Sequence, residues 1–403
     1  MQAVYVDEKV GKRKIERYFL PTEIIFGRGS LQLLPRLVVR HKGDRIFLVV
    51  GRSALKKARV VERIQNSLSF ASIKTILYEG INPNPTVDLI KKVREKLIRS
   101  GASLVIAAGG GSVLDVGKSV AILAKNKWKL IDFLEKRKIL IQEGLPLIAI
   151  PTTSGTGSEV TPWATIWHPT KDRGIEKYSL SSPLMFPKIA LLDPELTLTL
   201  PPRLTAITGM DALSHAIEAF WSINSSSLSD IHAREAINLI IQNLEKAVAN
   251  PGEVSYREKM MIAALEAGLA FSQTQTTIVH SVSYPITSYF NVPHGLACAL
   301  TLAPFLEYNS QVTDRDCGDP RGTEFVRRKI REISRILGTK TPDESSQIIK
   351  GLMTKIGLPI RLTEAGVSDI EIVIKKGFHP ERAINNPRVI TKENLKRIFT
   401  KIY

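Results

Sequence analysis

"SLVIAAGGGSVLDVGK" occupies residues 103–118 and changes character twice. "SLVIAA" (103–108) is an apolar run of strand length. Gly109, Gly110 and Gly111 then allow a sharp turn and close approach of a ligand, and Ser112 opens a helical pattern. The N–H groups at the start of such a helix, with the positive end of its dipole, suit a pyrophosphate. The run is not GxGxxG, so the turn fits a phosphate site and a tight structural turn equally well.

Moving outward, "RIFLVV" (45–50), "SIKTILY" (72–78), "LPLIAIP" (145–151) and "KIALLD" (188–193) read as further strands, with helices over 53–68 and 86–99. Strands alternating with helices predict a parallel sheet covered on both faces. Beyond residue 200 the pattern changes. The segments 204–221, 228–248, 255–273, 294–308, 323–337, 343–356 and 391–401 carry helical periodicity, and strand-like runs stop. Pro201-Pro202 suits a helix entry. The expected architecture is an α/β dinucleotide-binding domain over 1–197 and an all-α metal-binding domain over 198–403.

The totals agree with a soluble globular chain: 403 residues, 43% hydrophobic and 24% charged. No apolar run approaches a membrane span. The N-terminal stretch carries charges where a signal peptide needs an apolar core, so a cytoplasmic location is expected. Cys298 and Cys317 form no CxxC pair; a disulfide framework or thiolate zinc site is not expected, and both read as free thiols. The net charge of +17 favours anionic ligands. Its basic residues are dispersed without an aromatic stripe, which argues for solvated surface lysine and against a nucleic-acid partner.

Two further constellations carry chemistry. "IAIPTTSGTGSEVT" (148–161) sets Thr152, Thr153, Ser154 and Thr156 after a strand, where ligands bind in open α/β sheets. The same hydroxyls also suit a loop that satisfies its own backbone. In "TGMDALSHAIEAFW" (208–221), Asp211 and His215 stand one helical turn apart on one face. His280 and His294 follow in "TTIVHSVSYPITSYFNVPHGLACAL" (276–300). Three imidazoles and a carboxylate suit a divalent metal with a position left for substrate oxygen. Spacing alone leaves open that these are surface or core histidines.

Together "NPNPT" (82–86), "GGGSVLDVGK" (109–118), "PTTSGTGSEVT" (151–161), "KYSL" (177–180), "LLDPELTLTLP" (191–201), "GMDALSHAIEA" (209–219) and "VPHGLACAL" (292–300) resemble the iron-containing alcohol dehydrogenase family, from about residue 18 to the C-terminus. The resemblance implies that family's dehydroquinate-synthase-like fold, with an active site in the cleft between an α/β and a helical domain. It implies Asp211, His215, His280 and His294 as ligands of Fe(II), or of zinc or another divalent ion. Gly110, Gly111 and Ser112 fall to the pyrophosphate, and Asn84, Asp115, Thr152, Thr153, Thr156 and Lys177 to the nucleotide cleft. The implied reaction is hydride transfer between a nicotinamide cofactor and a short primary alcohol or aldehyde, in an enzyme that is a homodimer or larger.

Two departures from the family matter. Many members carry a histidine four residues after the third ligand; here Tyr284 stands there, expected to shape the pocket or donate to an anionic substrate, or else to pack in the core. NAD-preferring members often end the second strand with Asp, whose carboxylate accepts from the ribose 2′-hydroxyl. Here Gly51 is followed by Arg52, which suits a 2′-phosphate and predicts NADP(H) over NAD(H). "TPWATIW" (161–167), "EKYSL" (176–180) and "HSVSYPITSYFNVPHGLAC" (280–298) resemble the branch that reduces phosphonoacetaldehyde. A dehydroquinate-synthase-like lyase using NAD transiently ranks lower, because such enzymes lack this Asp-to-His spacing followed by paired histidines.

Overall fold

The computed structural model describes residues 9–10, 13–52, 59–170, 174–377 and 383–403. The chain divides into two compact units. One holds Leu20–Thr153 and Gly157–Leu200; the other holds Ser154–Thr156 and Pro201–Tyr403 with the segment ending at Phe19.

Six parallel strands form the sheet of the first unit. They are β1 (Glu23–Phe26), β2 (Arg45–Gly51), β3 (Lys74–Ile81), β4 (Leu104–Gly109), β5 (Leu147–Pro151) and β8 (Ile189–Leu192). An antiparallel hairpin, β6 (Trp163–Thr170) and β7 (Gly174–Ser181), stands apart from that sheet. The sheet order is β1-β8-β5-β4-β2-β3. Alternation along β2 supplies both faces: Phe47 and Val49 join one core, while Ile46, Leu48 and Val50 join the other. Helices α1 (Leu34–Arg40) and α2 (Val60–Phe70) give Leu34, Val38, Ile64 and Leu68 to the second face. Helices α3 (Val87–Ser100), α4 (Gly111–Leu123) and α5 (Leu130–Leu134) cover the first. Gly117 sets how near α4 lies to the sheet, since a Cβ there would fall 2.4 Å from that of Ala107.

The predicted strands are present, with β3 beginning two residues late and running to Ile81. Of the helix predicted over 53–68, residues 53–58 lie outside those described, and α2 continues to Phe70. Strand β1 and the β6–β7 hairpin are additional to the sequence reading.

The second unit is helical: α6 (Pro202–Trp221), α7 (Ser227–Ala249), α8 (Val254–Thr274), α9 (Ile278–Phe290), α10 (His294–Ser310), α11 (Thr323–Ile336), α12 (Pro342–Lys355), α13 (Ile370–Gly377) and α14 (Lys392–Ile402). Helix α6 is buried around almost its whole circumference from Thr205 to Trp221, which makes it a central element of this unit. Helices α9 and α13 were not predicted. Pro285 inside α9 and a start without a local side-chain cap disguise that helix. No helix among the described residues is long and apolar enough to cross a membrane.

Candidate active site

The sheet places the first group of residues. After β2 the chain moves to one side to form β3 and to the other to form β4, so the β2/β4 boundary is the switch point of the topology, where open α/β sheets bind ligands at their C-terminal ends. Gly51 ends β2 there, with Arg52 exposed beside it. Gly110 is the N-cap of α4 and supplies no side-chain cap, and Gly111 and Ser112 form the first turn, which holds no acidic residue. Its positive end therefore suits an anion.

Neighbouring loops converge on that turn. The Asn84 amide donates to Ser112 Oγ at 3.3 Å, from a left-handed backbone at φ 59°. The Thr152 amide donates to the Gly109 carbonyl at 3.0 Å, and a Cβ on Gly110 would touch Thr153. Lys177 pairs across the hairpin with Trp167, whose amide donates to the Pro85 carbonyl at 2.8 Å, setting β6 beside the Asn84 loop and Lys177 on the strand paired with it. Thr156 groups with the helical unit.

Asp115 has internal partners. Its carboxylate accepts from Ser158 Oγ at 2.7 Å and from the Thr165 amide at 3.0 Å. It also lies 3.4 Å from the Lys118 ammonium, which is fully buried and donates to the carbonyl of Ser158 and the hydroxyl of Thr161. Burial pulls the Lys118 pKa down, although Asp115 and Glu159 oppose it. Burial likewise pushes neighbouring Glu159 up to about 7. Neither Lys118 nor Glu159 was singled out in the sequence.

The second group lies wholly in the helical unit. Asp211 and His215 come from α6, His280 from the first turn of α9, and His294 from the start of α10. Gly295 lets α10 approach α6. A Cβ there would fall 2.4 Å from the Ile207 carbonyl oxygen and 2.9 Å from Asp211 Cβ. As a result Asp211 Oδ1 lies 3.6 Å from His280 Nε2 and 3.9 Å from His294 Nε2.

One oxygen of Glu218, a fully buried residue on α6, accepts from the amides of Thr277 at 3.1 Å and Val279 at 2.8 Å. Its other oxygen accepts from His280 Nδ1–H. An ionised carboxylate only accepts, so Nδ1 carries a proton and Nε2 is the nitrogen turned toward Asp211. The spacing of the sequence did not single out Glu218.

Electrostatics follow from burial and proximity. Burial alone would raise the Asp211 carboxyl, but His215, His280 and His294 outweigh it and hold it well below the usual range. Burial and the nearby His280 draw His215 down to about 4. Burial opposes charging of His280, yet Cys298 and Glu218 raise it well above its ordinary value.

Asp211 Oδ1, His215 Nδ1 and His280 Nε2 are all buried without a hydrogen-bond partner. Such groups are costly unless something else satisfies them, and carboxylate and imidazole are donors that a divalent cation accepts. The residues fit a metal. The donor atoms that gather within 4.8 Å of one another belong to Asp211, His280, His294 and Cys298. His215 is not one of that group. Its ring stacks on Phe271 at 4.1 Å, with its centroid 4.2 Å from that of His280. Tyr284 is buried one turn after His280, its ring parallel to that of His294 at 5.6 Å.

Comparison with known proteins identifies the family. The model of the iron-containing alcohol dehydrogenases matches residues 21–194, and that of the Fe-containing alcohol dehydrogenase family, C-terminal, matches 205–403. The chain belongs to the iron-containing alcohol dehydrogenase family. Like its relatives, this dehydrogenase is an oxidoreductase acting on alcohols and aldehydes. It is 33% identical to an NADPH-dependent butanol dehydrogenase from Clostridium saccharobutylicum, over 96% of this chain and 98% of that protein. A lactaldehyde reductase from Escherichia coli (strain K12) is 30% identical, over 93% and 96%. The structure of a sulfoacetaldehyde reductase from Bifidobacterium kashiwanohense in complex with NAD+ is 31% identical with a TM-score of 0.86, covering 97% of this chain and 99% of that one.

Proposed function

We propose that the enzyme exchanges a hydride between NADP(H) and a short anionic aldehyde, or the matching primary alcohol, at a divalent metal centre. Fe(II), or Zn(II) in its place, would be held by Asp211, His215, His280 and His294. The observation that carries the reading is the set of buried Asp, His and His atoms without hydrogen-bond partners. The nicotinamide supplies the hydride and the ion acts as a Lewis acid at the substrate oxygen. Glu218 holds the Nδ1 proton of His280, so that Nε2 is the nitrogen that would give up its proton and coordinate the ion. Gly110, Gly111 and Ser112 offer amides to the pyrophosphate. Asn84, Thr152, Thr153, Thr156 and Lys177 border the nucleotide, and Asp115 braces its loop. Tyr284 shapes the pocket and donates its phenolic hydrogen to the substrate anion.

Arg52 after Gly51, where a ribose-binding carboxylate is absent, favours a 2′-phosphate. The NADPH dependence named for the butanol dehydrogenase relative supports this choice, while the sulfoacetaldehyde reductase is in complex with NAD+. The latter also supports an anionic aldehyde, since sulfonate and phosphonate are both compact tetrahedral anions. Phosphonoacetaldehyde is therefore the first substrate to try. We further place the enzyme in the cytoplasm, as a homodimer or larger assembly without a nucleic-acid partner.

The test is anaerobic removal of metal, reconstitution with Fe(II), Zn(II) or Mn(II), and NADPH oxidation against phosphonoacetaldehyde, sulfoacetaldehyde, lactaldehyde and butanal. Metal-dependent turnover led by an anionic aldehyde is expected. Equal rates on butanal defeat the anionic assignment, and a preference for NADH defeats that of Arg52. Undiminished activity of the metal-free protein defeats the centre itself.

A further inference from the structure

We propose that the Cys298 sulfur is itself a ligand of this metal centre, joining nitrogen and oxygen donors. The inference rests on reading the cluster as a metal site and adds a residue outside the Asp-His-His-His pattern.

Geometry carries it. Cys298 lies one turn after His294 on α10, so both side chains leave the same helical face. Its residue is completely buried, and Sγ is 3.9 Å from His294 Nε2. That nitrogen is 3.9 Å from Asp211 Oδ1, which is in turn 3.6 Å from His280 Nε2. Both distances are too long for a hydrogen bond between nitrogen and oxygen. The three separations are a few tenths of an ångström wider than the roughly 3.3–3.6 Å between donor atoms about 110° apart on one ion, with metal–nitrogen and metal–sulfur bonds of about 2.0 and 2.3 Å. Two of the sulfur's companions, Asp211 Oδ1 and His280 Nε2, are buried without a partner of their own. The contact with His294 is within reach of a weak sulfur hydrogen bond, which binding of an ion between the two atoms would replace. Cys317 provides the contrast, with its sulfur directed to the Asp319 carbonyl at 3.4 Å.

Forming the sulfur–metal bond breaks the S–H bond and releases that proton to solvent, without oxidant or reductant. A thiolate is a softer donor than imidazole or carboxylate, so the centre should favour Zn(II) over Fe(II) more strongly than an Asp-His-His-His site does, and discriminate against Mn(II).

The experiment loads the metal-stripped full-length enzyme with Co(II) and records its absorption, then measures X-ray absorption of the Zn(II) form. Expected are one equivalent of Co(II), a near-ultraviolet thiolate-to-cobalt charge-transfer band, and one sulfur at about 2.3 Å from zinc. The band should vanish in Cys298→Ala and persist in Cys317→Ala. The ratio of Zn(II) to Fe(II) affinity should fall about tenfold or more in Cys298→Ala. The zinc measurement needs no variant, so misfolding of Cys298→Ala does not blunt the test. Stoichiometric cobalt with ligand-field bands but no sulfur signature overturns the proposal and leaves the metal centre standing. Failure to retain either ion overturns both.

Discussion

Glu218 grips His280 by its Nδ1 with one carboxylate oxygen and holds the amides that begin the same histidine's helix with the other. In Glu218→Gln the remaining oxygen must keep serving those amides, which turns the –NH2 toward Nδ1. The imidazole then shifts its proton to Nε2, the lone pair assigned to the metal. Metal affinity should fall about 10–100-fold with the fold intact. Chelator competition and far-ultraviolet circular dichroism check both halves. Glu218→Ala, which also leaves buried amides unsatisfied, should cost about 3 kcal/mol or more of stability in denaturant titration.

Gly295 links packing to the centre. A methyl group there has nowhere to go between the Ile207 carbonyl and Asp211 Cβ, so Gly295→Ala must push α10 away from α6. The expected result is destabilisation of about 1–3 kcal/mol and a metal content well below that of the parent protein. An alanine variant with parental metal content and melting temperature would contradict this geometry.

Arg52 should decide between the cofactors. A charge-assisted contact to a 2′-phosphate contributes about 1.5–3 kcal/mol, so Arg52→Ala should raise the KM for NADPH about ten- to a hundredfold. The KM for NADH should change little. Steady-state kinetics with both cofactors suffices.

Glu159 makes a prediction about pH. Burial lifts its pKa from the ordinary 4.5 to about 7, so the native state keeps the proton longer than the unfolded chain. Stability should therefore decline as pH rises from about 4.5 to 7, by about 3 kcal/mol from this residue. Glu159→Gln should remove that decline, raising stability at pH 8 while changing little at pH 4. Equal pH dependence in both proteins would refute it.

The sequence reading reached furthest where a local period coincides with burial. Strands β2 and β4 are continuous apolar runs because helices cover both faces, and α6 declares itself by its Asp-to-His turn. Helix α9 was out of reach. Pro285 interrupts its pattern, and the carboxylate that steadies its first turn comes from Glu218, 59 residues before Thr277. The β6–β7 hairpin was hidden for a related reason, since the sequence between its strands, Lys171, Asp172 and Arg173, carries no strong hairpin dipeptide. Among site residues, spacing picked out Asp211 and His215, and the family resemblance joined His280 and His294 to them; the donor atoms of Asp211, His280 and His294 gather, and that of His215 does not. Spacing could not show that Phe271 stacks on His215 or that Cys298 turns toward the cluster, because those facts depend on how α8 and α10 pack.

Among the described residues strand β1 pairs only with β8, at the far end of its sheet's sequence. During synthesis, Glu23–Phe26 must wait until Ile189–Leu192 has left the ribosome before finding a neighbour. Until then the exposed edge of β5 is an open template for strands of other nascent chains. The order of the chain thus sets a window of vulnerability that closes only once residues 189–192 of the 403 have emerged.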